Sequence, residues 1–512
     1  MTDGSSAHAV MTHRRDVACL LLVVALALAL LTPSTLGPGS AMDEGAVAAY
    51  SSRVLQGAVP YRDFETFYGP GNVWLVAGAF EAFGHTVGAE RAVGLLYRLM
   101  LVVALFVLGR SLGGVVGGGL AGVLSATVMA NEVVWAAATW GSLAFGLTAI
   151  ALCLAGARRD ETSGQTALFL AGGVAGGAAL LMRFDFLPAV VLAALPLLAH
   201  AGRRSRVWWS AGLALPVVAY LPLLALASSE LGRFVGDLNA TRAGRSLPLP
   251  SLFDFPGSLL AAGALASIAY VVLGGALWRR DRADLNARLL VSVGLFSLAL
   301  GPWVLSRAEL FHIRPVAVVS LSLFPAVVVL LARMLGVTHR GQLVVAGLLV
   351  MVSLAACLNQ GALARLHSIS DLRGGYRGFF VADDDPARSV VARARELAPA
   401  GESLFVGPRD LRRTNYGPTY MYFLLRGLRP ASYYMEMNPL TANREGSGLA
   451  DELRSADWLV LTSAWDRWDE PNDSREFGPS EPNRVVKDLF CVRYEAGTYR
   501  LYQRCRGAGA PP

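Results

Sequence analysis

The chain has 512 residues, of which 54% are hydrophobic and 16% charged, a composition that excludes an ordinary soluble globular protein. Its net charge of +7 is carried almost entirely by arginine, mostly in short loops, which indicates membrane topology and argues against a nucleic-acid surface. The five cysteines show no CxxC or Cys/His spacing of the kind that binds zinc.

Apolar runs near the length that crosses a bilayer fill most of the chain up to residue 360. No small-x-small cleavage site closes the first run, so we interpret it as an uncleaved transmembrane helix. The apolar segment 71–84 is too short for a full span, and we interpret it as an interfacial or partly embedded helix. We predict about eleven spans, at residues 17–36, 91–109, 112–130, 133–155, 165–182, 187–200, 207–227, 257–277, 288–305, 315–335 and 341–359.

The arginine-rich loops alternate along the chain, as expected if positively charged loops stay in the cytoplasm. This pattern places residues 1–16 in the cytoplasm and the first long loop, residues 37–90, outside. Residues 17–360 then form the membrane domain and residues 361–512 an extracytoplasmic domain. The predicted fold class is an α-helical polytopic membrane protein with a C-terminal extracytoplasmic α/β domain.

The polar tail shows both helical and strand patterns. Residues 386–397 predict a helix preceded by three aspartates, and residues 403–406 and 458–462 predict short buried strands. A hairpin is predicted around residues 495–498. Cys491 and Cys505 would bridge this hairpin in an oxidising compartment, and two free thiols are the alternative.

The first outer loop carries the clearest sign of chemistry. Asp43 and Glu44 follow the first span directly, and the loop continues with a Gly-x-x-Pro-Tyr-x-Asp-Phe stretch from Gly57 to Phe64 and with Gly69-Pro70-Gly71. This arrangement resembles the GT-C glycosyltransferases, and more narrowly the bacterial protein O-mannosyltransferases and the lipid A aminoarabinose transferase. Residues 15–360 carry the resemblance. One departure is that Gly69-Pro70 stands where Lys-Pro-Pro usually follows.

The resemblance implies an enzyme that takes a sugar from a polyprenyl-phosphate-linked donor and transfers it, usually with inversion, on the outer face of the membrane. Asp43 matches the aspartate proposed as general base, and Glu44 the acid that often follows it. Glu65 matches a position for which a metal-ligand role is conceivable. General-base chemistry supports this role of Asp43 independently of the resemblance, because a positioned carboxylate speeds the attack of a hydroxyl by about 10²–10⁴-fold.

A departing lipid phosphate needs positive charge, from arginine or from a divalent cation. On the predicted outer face, Arg183, Arg307, Arg314 and His312 are candidates for binding the donor phosphate. Glu65 and Glu132 are the candidate ligands for a divalent metal such as Mg, Mn or Zn. Each of these residues has a plain alternative, which is a solvated loop residue or, for Arg183 with Asp185, a local ion pair.

The sequence therefore predicts a bacterial glycosyltransferase of the cytoplasmic (inner) membrane, a hexosyl- or pentosyltransferase that depends on a lipid-phosphate sugar. Its partners would be that donor, membrane lipids and a glycan, lipid or protein acceptor, without nucleic acid. Two alternatives stay open: a transporter or flippase of lipid-linked sugars, and a non-catalytic scaffold of the cell envelope. A transporter would more often show internal repeats, which the sequence lacks.

Overall fold

A computed structural model describes residues 3–37, 39–159, 163–338, 340, 341, 344, 347, 379, 385–414 and 417–505. The chain divides into two compact units. Unit 1 comprises residues 1–36, 91–219 and 249–375, and unit 2 comprises residues 37–90, 220–248 and 376–512. The predicted span 341–359 lies outside the described residues except at positions 341, 344 and 347.

Helices dominate the described part of the chain up to residue 334. In chain order they are α1 (Asp3–Leu31), α2 (Asp43–Leu55), α3 (Pro70–Phe83), α4 (Val87–Met129), α5 (Ala138–Ala157), α6 (Ser163–Met182), α7 (Leu187–Leu198), α8 (Arg203–Leu226), α9 (Leu231–Gly244), α10 (Phe255–Arg280), α11 (Leu285–Ala299), α12 (Gly301–Ser306) and α13 (Leu310–Met334).

Among the described residues, eight helices are long and apolar enough to cross a membrane. The longest, α4, consists of two helices that meet at Gly114, where φ is 67° and ψ is −163°. This is a left-handed φ that glycine adopts without the steric cost other residues face. The two halves correspond to the predicted spans 91–109 and 112–130. The predicted fold class, a polytopic helical membrane protein, is confirmed.

Small residues let the helices of unit 1 approach closely. A Cβ atom on Gly173 of α6 would lie 2.1 Å from the carbonyl oxygen of Trp209 in α8. Likewise, a Cβ atom on Gly109 would lie 2.8 Å from the carbonyl oxygen of Gly117, which brings the two halves of α4 together. Within lipid, helices associate mainly through such close packing, because burial of apolar surface gives little advantage there.

Among its described residues, unit 2 contains a five-stranded sheet formed by β1 (Ser403–Pro408), β2 (Arg429–Pro430), β3 (Trp458–Thr462), β4 (Phe490–Ala496) and β5 (Tyr499–Arg504). The spatial order of the strands is β2-β1-β3-β5-β4. The strands β2 and β3 lie parallel to β1, and β5 lies antiparallel to β3 and β4. The elements of the tail are α14 (Pro386–Leu397), β1 (Ser403–Pro408), α15 (Tyr420–Leu424), β2 (Arg429–Pro430), α16 (Leu449–Ser455), β3 (Trp458–Thr462), α17 (Glu481–Leu489), β4 (Phe490–Ala496) and β5 (Tyr499–Arg504).

The secondary structure predicted for the tail matches these elements. The helix α14 begins after Asp385, whose side chain accepts a hydrogen bond from the backbone N–H of Ala387. The hairpin joins β4 and β5 through Gly497, which has a positive φ of 54°. Cys491 and Cys505 form a disulfide across this hairpin, with their Cα atoms 5.3 Å apart.

Candidate active site

Asp43 and Glu44 lie in the first turn of α2, in unit 2, where the N-terminal end of the helix favours negative charge. The Glu44 carboxylate is fully buried and accepts a hydrogen bond from the backbone N–H of Ser40 at 3.1 Å. Asp43 is only half-buried, and its Oδ2 lies 3.3 Å from the Ser40 hydroxyl. The geometry thus separates the two acids: Glu44 secures the start of the helix, and Asp43 is the more accessible carboxylate.

The start of α2 packs against the tail of the same unit. The backbone N–H of Tyr420 donates to the carbonyl of Ala41 at 3.1 Å. A Cβ atom on Gly45 would lie 2.6 Å from the backbone nitrogen of Tyr420, a distance that side chains do not tolerate. Further along the loop, the backbone N–H of Glu65 donates to the carbonyl of Tyr433 at 2.8 Å. The first outer loop and the tail therefore position Asp43 together.

Replacing Gly45 by alanine is expected to lower the thermal stability of unit 2, because the added methyl group meets the backbone of α15 and cannot be accommodated by a side-chain rotation. The matched control is Gly78→Ala in α3, where no atom lies within 4 Å of the added carbon. There the substitution should raise stability slightly, since alanine favours helix over glycine by about 1 kcal/mol. Thermal unfolding of the detergent-purified variants measures both effects, and equal stability of the two variants would contradict the close packing.

Beyond the first turn of α2, four carboxyl groups among the described residues of unit 2 are buried: Glu65, Glu90, Asp237 of α9 and Glu436. Asp237 pairs with Arg444 at 2.7 Å and accepts a hydrogen bond from the Tyr434 hydroxyl at 3.4 Å. In the described part of the chain, neither carboxyl oxygen of Glu65 has a hydrogen bond of good geometry, although the Asn438 amide lies near enough to stabilise its charged form.

Burial raises the pKa of Glu65 well above its usual range, and the charges of Asp237 and Glu436 raise it further. For Glu436, burial together with the charge of Asp43 raises the pKa to about 7, and the Asn438 hydrogen bond only partly offsets this. The folded protein therefore binds this proton more tightly than the unfolded chain does. Glu436 favours the folded state at acidic pH, and that contribution is lost as the pH rises through about 7.

The predicted phosphate-binding residues come together in unit 1. Arg183 forms a bidentate pair with Asp185, at 2.7 and 3.0 Å, and its guanidinium lies 5.1 Å from the ring of Trp303. The other side of the cluster is formed by Arg307 and His312, which both approach Glu309, at 2.6 and 3.2 Å. Trp303 thus contacts both Arg183 and His312, and Arg307 joins the cluster through Glu309, which it shares with His312.

Glu309 shows how closely Arg307 and His312 approach one carboxylate. Burial alone would raise the pKa of Glu309, but the hydrogen bond from His312 and the charge of Arg307 lower it to about 2. Arg314 lies on the same helix as His312 and pairs with Glu132 at 2.5 Å. Glu132, predicted as a metal ligand, is thus engaged by an arginine in unit 1, whereas Glu65, the other predicted ligand, belongs to unit 2.

Two residues at these places were missed by sequence reasoning. Trp303 is buried at the centre of the arginine cluster, and in the described part of the chain its indole N–H has no acceptor. Glu436 lies in a run of aromatic and apolar residues. The presence of an acid in such a run is the only sign in the sequence that this residue has a role. Among the described residues, no group of three or more His, Cys, Asp or Glu side chains is arranged to hold a metal ion.

Solved structures of two kinds share this fold. One is ArnT from Cupriavidus metallidurans, bound to undecaprenyl phosphate (TM-score 0.58, 14% identity, 96% of this chain and 99% of that chain). Its apo form matches with a TM-score of 0.59 and 15% identity over the same shares. The other is the archaeal oligosaccharyltransferase AglB from Archaeoglobus fulgidus, in complex with an inhibitory peptide and a dolichol-phosphate (TM-score 0.54, 11% identity, 96% of this chain and 74% of that chain).

No family model matches the sequence, and no curated protein matches it either. The likeness is therefore one of fold, which this chain shares over nearly its whole length with ArnT and with AglB. Both belong to the GT-C superfamily. The resemblance predicted from the first outer loop is confirmed, and the chain has the GT-C glycosyltransferase fold.

Proposed function

We propose that the protein is a glycosyltransferase that moves a sugar from a polyprenyl-phosphate-linked donor to an acceptor on the outer face of the cytoplasmic membrane. The fold supports this proposal, because ArnT and AglB were solved with undecaprenyl phosphate and dolichol phosphate respectively. The tail, residues 361–512, would be extracytoplasmic, in keeping with the arginine-rich loops on the cytoplasmic side. Fold alone does not establish function, so the local chemistry has to agree.

The observation that carries the proposal is the cluster around Trp303. Two arginines, Arg183 and Arg307, and His312 lie in this cluster, together with a buried indole N–H without an acceptor in the described residues. Arginine guanidinium groups match the geometry of phosphate oxygens, and a buried donor without an acceptor is costly. A lipid phosphate bound here would supply that acceptor. We therefore assign donor-phosphate binding to Arg183, Arg307, Arg314 and His312, with Trp303 as an additional donor.

We assign the role of general base to Asp43. The proposed reaction is a displacement with inversion at the sugar carbon. The Asp43 carboxylate would take the proton from the acceptor hydroxyl as its oxygen bonds to the sugar carbon, while the lipid phosphate leaves with the electron pair of the broken bond. Glu44 supports Asp43 by securing the first turn of α2. If a divalent metal takes part, Glu65 suits it better than Glu132, which is paired with Arg314.

Undecaprenyl phosphate is expected to raise the melting temperature of the detergent-purified full-length protein, and undecaprenol, which lacks the phosphate, is not. Trp303→Phe should weaken this binding by about 10- to 100-fold, the usual value of a hydrogen bond to a charged group. Trp278→Phe is the matched control, because Trp278 is also stacked with an arginine, Arg288, and also has an indole N–H without an acceptor in the described residues. Equal responses to both lipids would contradict the assignment.

A further inference from the structure

Two loops of unit 2 lie at the carboxyl end of the parallel part of the sheet. Residues 409–413 follow β1, and residues 463–478 follow β3, which lies beside β1 and runs parallel to it. The strand order β2-β1-β3 means that the chain leaves β1 toward one side and later returns on its other side. In open parallel sheets, ligands bind at such a reversal, in the crevice outside the carboxyl ends of the strands. The loops after β1 and β3 therefore occupy the position at which this kind of sheet binds its ligand.

Aromatic rings are exposed on the second of these loops. Trp468 is 45% exposed and Phe477 60%, and the only other large apolar side chain exposed in the described part of the tail is Val492 of β4. The Arg413 guanidinium connects the two aromatic residues, because it donates to the backbone carbonyl of Trp468 at 3.4 Å and lies 5.5 Å from the Phe477 ring. Arg412 lies 4.9 Å from the same ring. Single exposed apolar side chains are common, but neighbouring ones mark a binding surface.

The charged side chains beside these rings hold one another in place. Arg412 forms a bidentate pair with Asp410, at 2.7 and 3.0 Å. Asp469 is shared by Arg413, at 3.6 Å, and Arg475, at 2.8 Å. All five side chains remain partly exposed, so they are ordered and can still bind a ligand.

The charge of the two loops selects among candidate ligands. Residues 409–413 and 465–477 hold five arginines and six acids, so their charges nearly cancel. A nucleic acid or an anionic lipid surface is attracted by a net positive charge, which these loops lack. Protein interfaces are depleted in Asp and Glu, which are abundant here. A neutral sugar chain fits instead, because its C–H faces pack on aromatic rings and its hydroxyl groups donate to carboxylates and accept from guanidinium groups.

We propose that this part of the tail binds a neutral saccharide segment of the acceptor. The tail surface, as we call it, comprises Trp468, Phe477, Arg412, Arg413, Asp469 and Arg475. Its two rings pack against the faces of sugar residues, and its guanidinium and carboxylate groups bind the hydroxyl groups. The binding of a saccharide stands on the geometry of the two loops, whereas its identity as part of the acceptor rests on the proposed function.

The tail surface is tested by isothermal titration of the full-length protein, purified in a detergent without a sugar headgroup, with mannohexaose, galactohexaose and maltohexaose. We expect at least one of these neutral sugar chains to bind. Trp468→Ala and Phe477→Ala should each weaken this binding by about 10-fold, because an aromatic contact is lost. If none of the three binds, or if Trp468→Ala binds as tightly as the wild type, the proposal is overturned.

Two further variants separate the loss of a ring from a general disturbance of the tail. Trp468→Phe keeps an aromatic ring and should retain most of the affinity. Val492→Ala is the matched control, since it also shortens an exposed apolar side chain of the tail but lies on β4, outside the tail surface. It should bind the saccharide like the wild type, and an equal loss of affinity in Val492→Ala would count against the assignment.

Crosslinking in living cells distinguishes a saccharide from other partners. With benzoylphenylalanine in place of Phe477, irradiation attaches the tail surface covalently to the molecule that occupies it. Mass spectrometry of the crosslinked tail peptide should give a series of masses that differ by one sugar residue. Attachment of a peptide or a phospholipid, or no adduct at all, would contradict saccharide binding.

The link to the acceptor is measured by sugar transfer. Trp468→Ala should raise KM for the acceptor by about 10-fold and leave kcat and the stabilisation by undecaprenyl phosphate unchanged, because the tail surface only holds the acceptor. The two proposals fail separately. Saccharide binding by a protein that transfers no sugar would contradict the proposed function alone, and transfer with an unchanged KM in Trp468→Ala would contradict the acceptor role of the tail surface alone.

Discussion

Replacing Asp43 by asparagine is expected to lower the rate of sugar transfer by about 10²–10⁴-fold, the range in which a positioned general base contributes. Asparagine keeps the size of the side chain and an oxygen that accepts the hydrogen bond from Ser40, so the first turn of α2 should survive. Binding of undecaprenyl phosphate should be unchanged, because that site is assigned to arginines of unit 1. The loss should therefore appear in the rate and not in the affinity for the donor.

The measurement is a glycan and glycolipid profile of a strain that lacks the gene, complemented with the wild type or with Asp43→Asn. Asp63→Asn is the matched control, because Asp63 lies in the same loop, accepts a hydrogen bond from the backbone of Val59 and pairs with Arg62 near the surface. The control should restore the missing product. If Asp43→Asn restores the product fully, Asp43 is not the base. If loss of the gene leaves the profile unchanged, the protein is better explained as a non-catalytic scaffold.

Breaking the ion pair between Glu132 and Arg314 is expected to have the second large effect, a loss of stability. Both side chains are mostly buried, with exposed fractions of 16% and 11%. Removing one partner of a buried ion pair leaves an uncompensated charge and typically costs about 3–5 kcal/mol. Glu132→Gln and Arg314→Gln should therefore each lower thermal stability markedly. The double variant should recover most of that loss, since neither charge remains.

The same three variants distinguish a purely structural ion pair from a role of Arg314 in binding the donor phosphate. If Arg314 binds the donor phosphate, Arg314→Gln and the double variant lose affinity for undecaprenyl phosphate, and Glu132→Gln keeps it. Wild-type affinity in the double variant would make the pair purely structural. Glu481→Gln is a suitable control for stability, because Glu481 pairs with Arg454 at the surface of the tail and exposed pairs contribute little.

Sequence reasoning succeeded where the signal is local. The helix Pro386–Leu397 and the strands at 403–406 and 458–462 were predicted from apolar pattern and flanking residues. The structure confirms all three and extends the first strand to Pro408. The GT-C resemblance likewise came from a short loop with distinctive residues. The break within α4 was predicted as well, between the spans 91–109 and 112–130, and the backbone adds only its position, at Gly114.

The pairing of distant residues was not accessible in the same way. Glu132 and Arg314 are separated by 182 positions, and nothing in the sequence around either residue indicates that the two are paired. Trp303 was passed over as one more aromatic residue of an apolar span, although it lies beside Arg183 and His312. For Glu436, the relevant neighbours are Asn438, Arg245 and Asp43, of which only the first is close in sequence.

The sequence by itself determined that this is a multi-pass membrane protein with an α/β tail, because hydrophobic length and strand patterns are properties of continuous segments. It also determined that the acids of the first outer loop are candidates for chemistry. Only the tertiary structure decided that Asp43 is more accessible than Glu44, that Glu132 is engaged by Arg314, and that Glu436 is buried. Those distinctions depend on burial and on partners far away in the chain, and burial is what changes the charge and the proton affinity of a carboxyl group.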